Sequence, residues 1–109
     1  MIDYYLEGYS ETIRKARKDH RCYECRGLIS KGENYIYASG IGIDGPEDFK
    51  TCLECKLLFK QVDGMYSHAD ERPGFGELQE YIDMGSDLDL KLLWNNNCRR
   101  RGSKAFVKV

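Results

Sequence analysis

The pattern of apolar and polar positions in the first half of the chain predicts short strands. Residues 34–39 are rich in aromatic and β-branched side chains, which favours a strand. Three glycines and a proline in 40–46 then predict a turn, after which 48–51 can return as the second strand of a hairpin. A weaker alternation of small or apolar residues with cations in 12–18 predicts extended chain ahead of this hairpin.

After Cys52 the apolar residues recur with a helical period. A first helix is predicted from an apolar stripe formed by Leu53, Leu57, Leu58 and Val62. Beyond a loop at 64–74, a second helix that ends near Gly85 is predicted from Phe75, Leu78, Tyr81 and Ile82. A third, capped by Ser86 or Asp87 and failing at 95–97, is predicted from Leu88, Leu92, Leu93 and Trp94. The alternating segment 104–109 fits either an edge strand or disordered chain.

The composition, with 41% apolar and 32% charged residues over 109 positions, is that of an ordinary globular protein and favours one domain, 1–109. No stretch of about 18 apolar residues could span a bilayer, and the start of the chain lacks the basic and apolar regions of a signal peptide. We therefore expect a cytoplasmic protein without membrane contact. In a reducing compartment, five cysteines indicate metal ligands or free thiols rather than disulfides.

Four of the cysteines form two C-x2-C pairs, Cys22 with Cys25 and Cys52 with Cys55. Zinc prefers four tetrahedral ligands, and each C-x2-C turn delivers two thiolates to one side of the ion. Two such pairs complete the shell and leave no position for water or substrate. The spacing therefore predicts one structural Zn²⁺, with isolated redox pairs and disulfides as the alternatives.

The two pairs differ in their surroundings, and the difference predicts the fold around the ion. Gly27 closely follows the first pair, which suits a tight knuckle, whereas the second pair runs directly into helix-forming residues. A knuckle, a hairpin and a helix that presents two ligands make up the treble-clef arrangement. The expected fold class is α+β: a zinc treble clef over 12–62, two further helices over 75–97, and a basic tail over 98–109.

The net charge of −1 conceals a segregation of charge along the chain. Segments 10–31 and 91–109 are basic, whereas 63–90 holds eight acidic residues and one basic residue, Arg72. Two basic strips could contact nucleic-acid phosphates or another partner, and they consist of Arg14, Lys15, Arg17, Lys18, Arg21, Arg99, Arg100 and Arg101, with Lys104 beside the second. An acidic helix face could instead occupy the nucleic-acid groove of a host protein, and it consists of Glu77, Glu80, Asp83, Asp87 and Asp89. Charge blocks of this kind also occur as simple solvated faces.

Five segments of the chain resemble a group of small phage and prophage proteins with a treble-clef zinc site. They are Ala16–Cys22, Cys25–Gly27, Lys31–Tyr35, Phe49–Cys55 and Phe75–Leu78. The resemblance extends over residues 12–83. It implies a phage-encoded accessory protein and assigns a zinc role to the four cysteines. It supplies no reaction, and it does not include the first dozen residues or the basic C-terminus.

The remaining candidates for chemistry have simpler interpretations. His20 is expected to pack beside the knuckle, and His68, in a polar loop with Asp70 and Glu71, lacks the further partners that an acid–base site needs. Cys98 is expected to be an exposed, unused thiol, the alternative being a reactive one activated by the neighbouring arginines. Most of the eight tyrosines should be partly buried rings. Three of them precede the domain and either form a protein contact or pack on the C-terminal helices, namely Tyr4, Tyr5 and Tyr9.

The leading functional hypothesis is a non-enzymatic phage accessory protein that binds a host protein or protein complex. Such binding would inhibit a bacterial defence or nucleic-acid-processing complex, in the manner of an anti-CRISPR protein. The closed metal shell and the segregated charge motivate this hypothesis. The alternative is a nucleic-acid-binding zinc-finger module that uses the basic strips. A treble-clef nuclease ranks third, because the predicted helix lacks the histidine of such a site, and no small-molecule substrate is expected.

Overall fold

The computed structural model describes residues 7–42, 44–65 and 73–109, with side chains from Tyr9 onwards. Its elements, in chain order, are β1 (Glu7–Lys15), β2 (His20–Arg21), β3 (Leu28–Ile29), β4 (Asn34–Gly42), β5 (Gly45–Cys52), α1 (Leu53–Asp63), α2 (Leu78–Met84) and α3 (Leu88–Arg100). The fold class is α+β, with antiparallel sheets and three helices in the described ranges. The expectations for Tyr4, Tyr5 and the His68 loop concern residues outside these ranges.

A three-stranded antiparallel sheet has the order β1, β4, β5. The predicted hairpin is confirmed as β4 and β5, and both strands are longer than expected, since their register runs from Tyr35 opposite Cys52 to Gly42 opposite Gly45. The extended chain predicted over 12–18 is a strand only in part, since β1 begins earlier, at Glu7, and ends at Lys15. This strand places Arg14 opposite Tyr35. Strands β2 and β3 form a separate two-stranded ladder. In the sequence, β2 precedes the first cysteine pair and β3 follows it.

The helix predicted after Cys52 is confirmed as α1, although its buried face differs from the expected stripe. Leu58 and Val62 are buried as predicted, and Cys55 joins them. Leu57 is 61% exposed. The cause is the cysteine centre, because Cys55 must face the core and this sets the rotation of the helix about its axis.

The third helix is capped by the Asp87 carboxylate, which accepts a hydrogen bond from the Leu90 N–H at 3.2 Å. This cap confirms the predicted start. The predicted end at 95–97 is wrong, since α3 continues to Arg100. The asparagines stay helical because Asn97 is buried and hydrogen-bonded and Asn95 binds the chain that follows.

The C-terminal segment is held by side chains of α3. Trp94, which is fully buried, donates from Nε1 to the Ala105 carbonyl at 2.6 Å. The Asn95 amide makes two hydrogen bonds to the backbone of Val107, one in each direction, at 3.0 and 2.8 Å. Residues 104–109 are therefore neither an edge strand nor loose chain. Among the described helices, none combines the length and the apolar character that crossing a membrane requires.

Candidate metal centre

The four predicted cysteine ligands meet at one point in the core. Their side chains are fully buried, and their Sγ atoms all lie within 4.8 Å of one another. A tetrahedral ion with metal–sulfur bonds of about 2.3 Å requires sulfurs roughly 3.8 Å apart. The Sγ atoms of Cys25 and Cys52 are 4.0 Å apart. The cluster therefore has the donor set and the dimensions of a tetrahedral metal site.

The first pair lies on a tight turn. The Arg26 N–H donates to the Cys22 carbonyl, and the Cys22 N–H donates to the Gly27 carbonyl, both at 2.9 Å. Two further N–H groups approach sulfur: that of Cys25 lies 3.5 Å from Cys22 Sγ, and that of Gly27 lies 3.4 Å from Cys25 Sγ. These donors stabilise negative charge on the sulfurs, as a thiolate metal site needs.

The glycine of this turn serves a purpose other than the one predicted. The left-handed backbone belongs to Arg26, whose φ is 63°. Gly27 is needed for space, because a Cβ there would lie only 2.5 Å from the Cβ of Arg101. The glycine thus lets the end of α3 pack directly on the turn that carries the first two ligands.

The second pair lies at the junction between β5 and α1. Cys52 is the N-cap residue of the helix, and Cys55 lies in its first turn. The Cys52 N–H lies 3.4 Å from Cys22 Sγ, which joins the two pairs directly. The partial positive charge at the helix N-terminus favours thiolates at these two positions.

Contacts among the sulfurs also set their protonation. Hydrogen bonds with Cys25 and Cys52, followed by burial, raise the pKa of the Cys22 thiol. Hydrogen bonds with the other three cysteines, and then burial, raise the pKa of Cys55. The corresponding contacts lower the pKa of Cys52. The raised pKa values favour protonated Cys22 and Cys55 in the absence of a cation, so binding of a metal by four thiolates would release protons.

Asn97 is the residue of the centre that sequence reasoning missed. Its Nδ2 lies 3.4 to 3.7 Å from the Sγ atoms of Cys25, Cys52 and Cys55, and the residue is 3% exposed. An amide that donates to ligand sulfurs is a partner of the kind that orients metal ligands. The sequence signal was misleading, because a run of three asparagines is typical of a helix end.

Arg101 connects Asn97 to the rest of the fold, and its assignment to a surface strip is wrong. It is 8% exposed, and its Nε donates to the Asn97 Oδ1 at 3.1 Å. Its guanidinium also donates to the Leu28 carbonyl and forms ion pairs with Glu33 and Glu54. The hydrogen bond from Arg101 holds the pKa of Glu33 below its ordinary value.

Glu24, between the two ligands of the first pair, was also missed. It is 4% exposed, and its two carboxylate oxygens accept hydrogen bonds from the N–H groups of Gly76 and Leu78 at 2.8 and 3.1 Å. Burial raises its pKa. Because no side chain of its own segment caps α2, Glu24 supplies the N-terminal cap from the metal turn.

The other basic candidates lie on the surface. Five of them, around β1 and β2, are exposed: Arg14, Lys15, Arg17, Lys18 and Arg21. The Arg14 guanidinium lies 3.8 Å from the centre of the Tyr37 ring. Arg99 and Arg100 are exposed at the end of α3, where Arg100 forms an ion pair with Glu54 at 2.9 Å.

The acidic candidates do not form one free face. Glu77 accepts a hydrogen bond from the Gly74 N–H at 2.6 Å, Asp83 accepts one from the Lys108 N–H at 3.3 Å, and Asp87 caps α3. Glu80 and Asp89 are exposed. Three of the five carboxylates are thus engaged with the backbone of the chain itself.

Two further expectations have opposite outcomes. His20 packs beside the knuckle as predicted, with its ring 5.4 Å from the Tyr35 ring. Cys98 is fully buried and its Sγ lies 3.7 Å from the Ala105 carbonyl, so the expected exposed thiol is wrong. Burial raises the pKa of Cys98, which opposes reactivity.

Comparisons of the chain with protein-family models, with curated proteins and with solved structures give no match. A function therefore has to be inferred from the residues and surfaces described above.

Proposed function

We propose that this chain is a zinc-stabilised binding protein of the treble-clef class, without enzymatic activity, whose partner is another protein. The support for zinc is the set of four buried thiols at tetrahedral spacing, on a knuckle and on a helix N-terminus. A complete thiolate shell leaves the ion no open position, which assigns it a structural role. Elemental analysis of protein purified without chelators tests this part: one zinc per chain is expected, and metal-free folded protein would contradict it.

The observation that carries the binding function is a leucine face on α1 and α3. The face consists of Leu57 and Leu93, which are 61% and 50% exposed, whereas the exposed Leu88 and Leu92 lie on another side of α3. Leu57 and Leu93 line a groove of about 370 Å³ between the two helices. Exposed apolar side chains that line one groove are typical of surfaces that a partner covers.

Charges at the two ends of the leucine face define the partner. Arg99 and Arg100 are exposed at the C-terminal end of α3, and Asp89 is exposed near its start. Arg100 already forms an ion pair with Glu54, so Arg99 is the arginine whose charge a partner would meet at this end. The partner that fits is a protein with an apolar helix or patch that carries an acidic group there. The resemblance to phage proteins extends the proposal: the partner is a host protein, such as a component of a defence or nucleic-acid-processing complex, which this binding would inhibit.

The test is capture from host lysate, followed by titration of the purified captured protein against three forms of the chain. Wild type and the control variant Ile41→Lys should bind equally, since Ile41 is 53% exposed on the sheet, away from the helices. The double variant Leu57→Lys, Leu93→Lys should bind about a hundredfold more weakly, as expected when a buried contact is lost. Equal binding by the double variant would contradict the leucine face. A concentration-dependent dimer that the double variant abolishes would show instead that a second copy covers it.

A second candidate function, nucleic-acid binding, is favoured by one arrangement on the sheet. The centre of the Tyr37 ring lies 3.8 Å from the Arg14 guanidinium and 5.6 Å from the Lys50 Nζ. An aromatic ring among cations suits the bases and phosphates of a single strand. Binding at low salt that is lost when Arg14, Lys15, Arg17 and Lys18 are reversed to glutamate would support it. No binding at low salt would remove it.

A further inference from the structure

A cavity of about 310 Å³ lies between the sheet, α1 and residues 73–75. This volume lies within the range of about 300–1,000 Å³ that is usual for small-molecule sites. Its floor is formed by Ile36 and Ala38 of β4, which are 8% and 3% exposed. The floor is therefore part of the packed core, and the cavity is a concave feature of the fold.

Aromatic rings form much of the cavity wall. Tyr9 contributes from β1, Phe59 from α1, and Phe75 from the segment before α2. The Phe75 ring is fixed by stacking on Phe49, with ring centres 4.2 Å apart and planes inclined by 5°. Tyr9 lies next in line, 6.1 Å from the Phe75 ring centre. The walls thus present π systems in fixed orientations.

The polar part of the lining has more carboxylates than cations. Glu11, Glu24 and Asp63 line the cavity together with one ammonium group, that of Lys56. Lys56 forms an ion pair with Glu11, and the Tyr9 hydroxyl donates to the same carboxylate at 2.6 Å. The described lining residues therefore carry a negative formal charge, and the rest of the described lining is apolar apart from Thr51.

We propose that this cavity binds an organic cation with an aliphatic stem, such as an arginine side chain or a small guanidine or amine. Aromatic rings attract a cation to their faces, and carboxylates at the same site complement its charge. The apolar floor suits the methylene stem, which an inorganic ion lacks. The cation could be a free small molecule or a side chain of a partner protein. This site is separate from the leucine face, so its failure would leave the proposed function standing.

The experiment is a nuclear magnetic resonance titration of the zinc-loaded chain with arginine amide and, as the matched neutral probe, citrulline amide. Arginine amide should shift the backbone amide signals of Ile36, Ala38 and Phe59, and citrulline amide should bind at least about tenfold more weakly. The variant Glu11→Gln should weaken arginine amide binding by a similar factor. The control variant Glu80→Gln, at an exposed carboxylate outside the cavity, should leave it unchanged.

Equal binding of the two probes, or shifts confined to residues outside the cavity, would overturn the proposal. A glycine-rich peptide that carries one arginine separates the two sources of the cation. Binding of the peptide as tight as that of the free amide, or tighter, indicates a side chain of a partner. Binding of the free amide alone indicates a small molecule. A melting temperature close to that of wild type would establish that Glu11→Gln remains folded.

Discussion

Replacement of Asn97 should weaken zinc binding although the residue is not itself a ligand. Its amide group donates toward three of the four sulfurs, and its Oδ1 accepts from Arg101 Nε. The variant Asn97→Ala removes both functions. Asn97→Asp keeps an acceptor for Arg101 but replaces the donor with an anion beside the thiolates. The two variants therefore separate the action on sulfur from the contact with arginine.

The expected magnitude follows from the number of contacts. Hydrogen bonds to charged groups contribute about 1.5–3 kcal/mol each, and one amide nitrogen has only two hydrogens to share among three sulfurs. Loss of an outer partner of a metal ligand typically lowers affinity about 10- to 100-fold, which corresponds to roughly 1.4–2.7 kcal/mol. The energy of the lost hydrogen bonds agrees with this usual loss of metal affinity, and we expect Asn97→Ala to lower the zinc affinity about 10- to 100-fold. Asn97→Asp should bind zinc more weakly still.

The assay is competition for zinc with a chromophoric chelator at neutral pH. The adjacent residue Asn96 supplies the control, because its side chain is exposed and its one described hydrogen bond is to Arg99. Asn96→Ala should change the affinity by less than about threefold, as surface substitutions do. If Asn97→Asp binds zinc as tightly as wild type, the amide does not act on the sulfurs and the reasoning is wrong.

Three further predictions concern the core. Cys55→Ser should abolish folding, since a structural zinc supplies on the order of 10 kcal/mol and the total stability of a domain is about 5–15 kcal/mol. Circular dichroism with and without a chelator checks this. Glu33→Gln should be less stable than wild type at neutral pH, because Arg101 lowers the pKa of Glu33 in the folded state below its ordinary value of 4.5. The stability that a lowered carboxyl pKa contributes is lost when the carboxylate is protonated. Denaturant titrations should therefore show the difference in unfolding free energy between the two proteins narrowing as the pH falls below 4.5. Cys98 should react with a thiol reagent only at the rate of unfolding, since its side chain is fully buried; rapid reaction in the zinc-loaded protein would contradict this burial.

The sequence was most informative where chemistry and spacing act locally. The hairpin, the helix after Cys52 and the Asp87 cap follow from short-range rules and are confirmed. The four cysteines predicted as ligands lie together as a metal site requires. Two C-x2-C pairs at this spacing predict a metal site well, because few other functions need two thiols in one turn twice in a chain.

Where the sequence misled, the deciding contacts join distant parts of the chain. Asn97 stays in a helix because ligand sulfurs, more than 40 positions away in sequence, accept from its amide. Arg101 is buried because Glu33 and Glu54 supply the compensating charge from two other elements. No local pattern could show that a basic residue near the C-terminus meets two acids at the core. The apolar pattern grouped Leu88, Leu92 and Leu93 with Trp94, but these three leucines are exposed. The buried positions of Trp94 and Asn97 fix the rotation of α3 about its axis.

The packing of Ser103 against the first ligand turn has a consequence for synthesis of the protein. Its hydroxyl donates to the Cys25 carbonyl, and the chain between the two residues includes the whole second ligand pair and all three helices. During translation the four cysteines therefore cannot be fully enclosed until the segment around Ser103 has left the ribosome. Until then the nascent chain exposes its thiols to oxidants and its unfinished core to proteases.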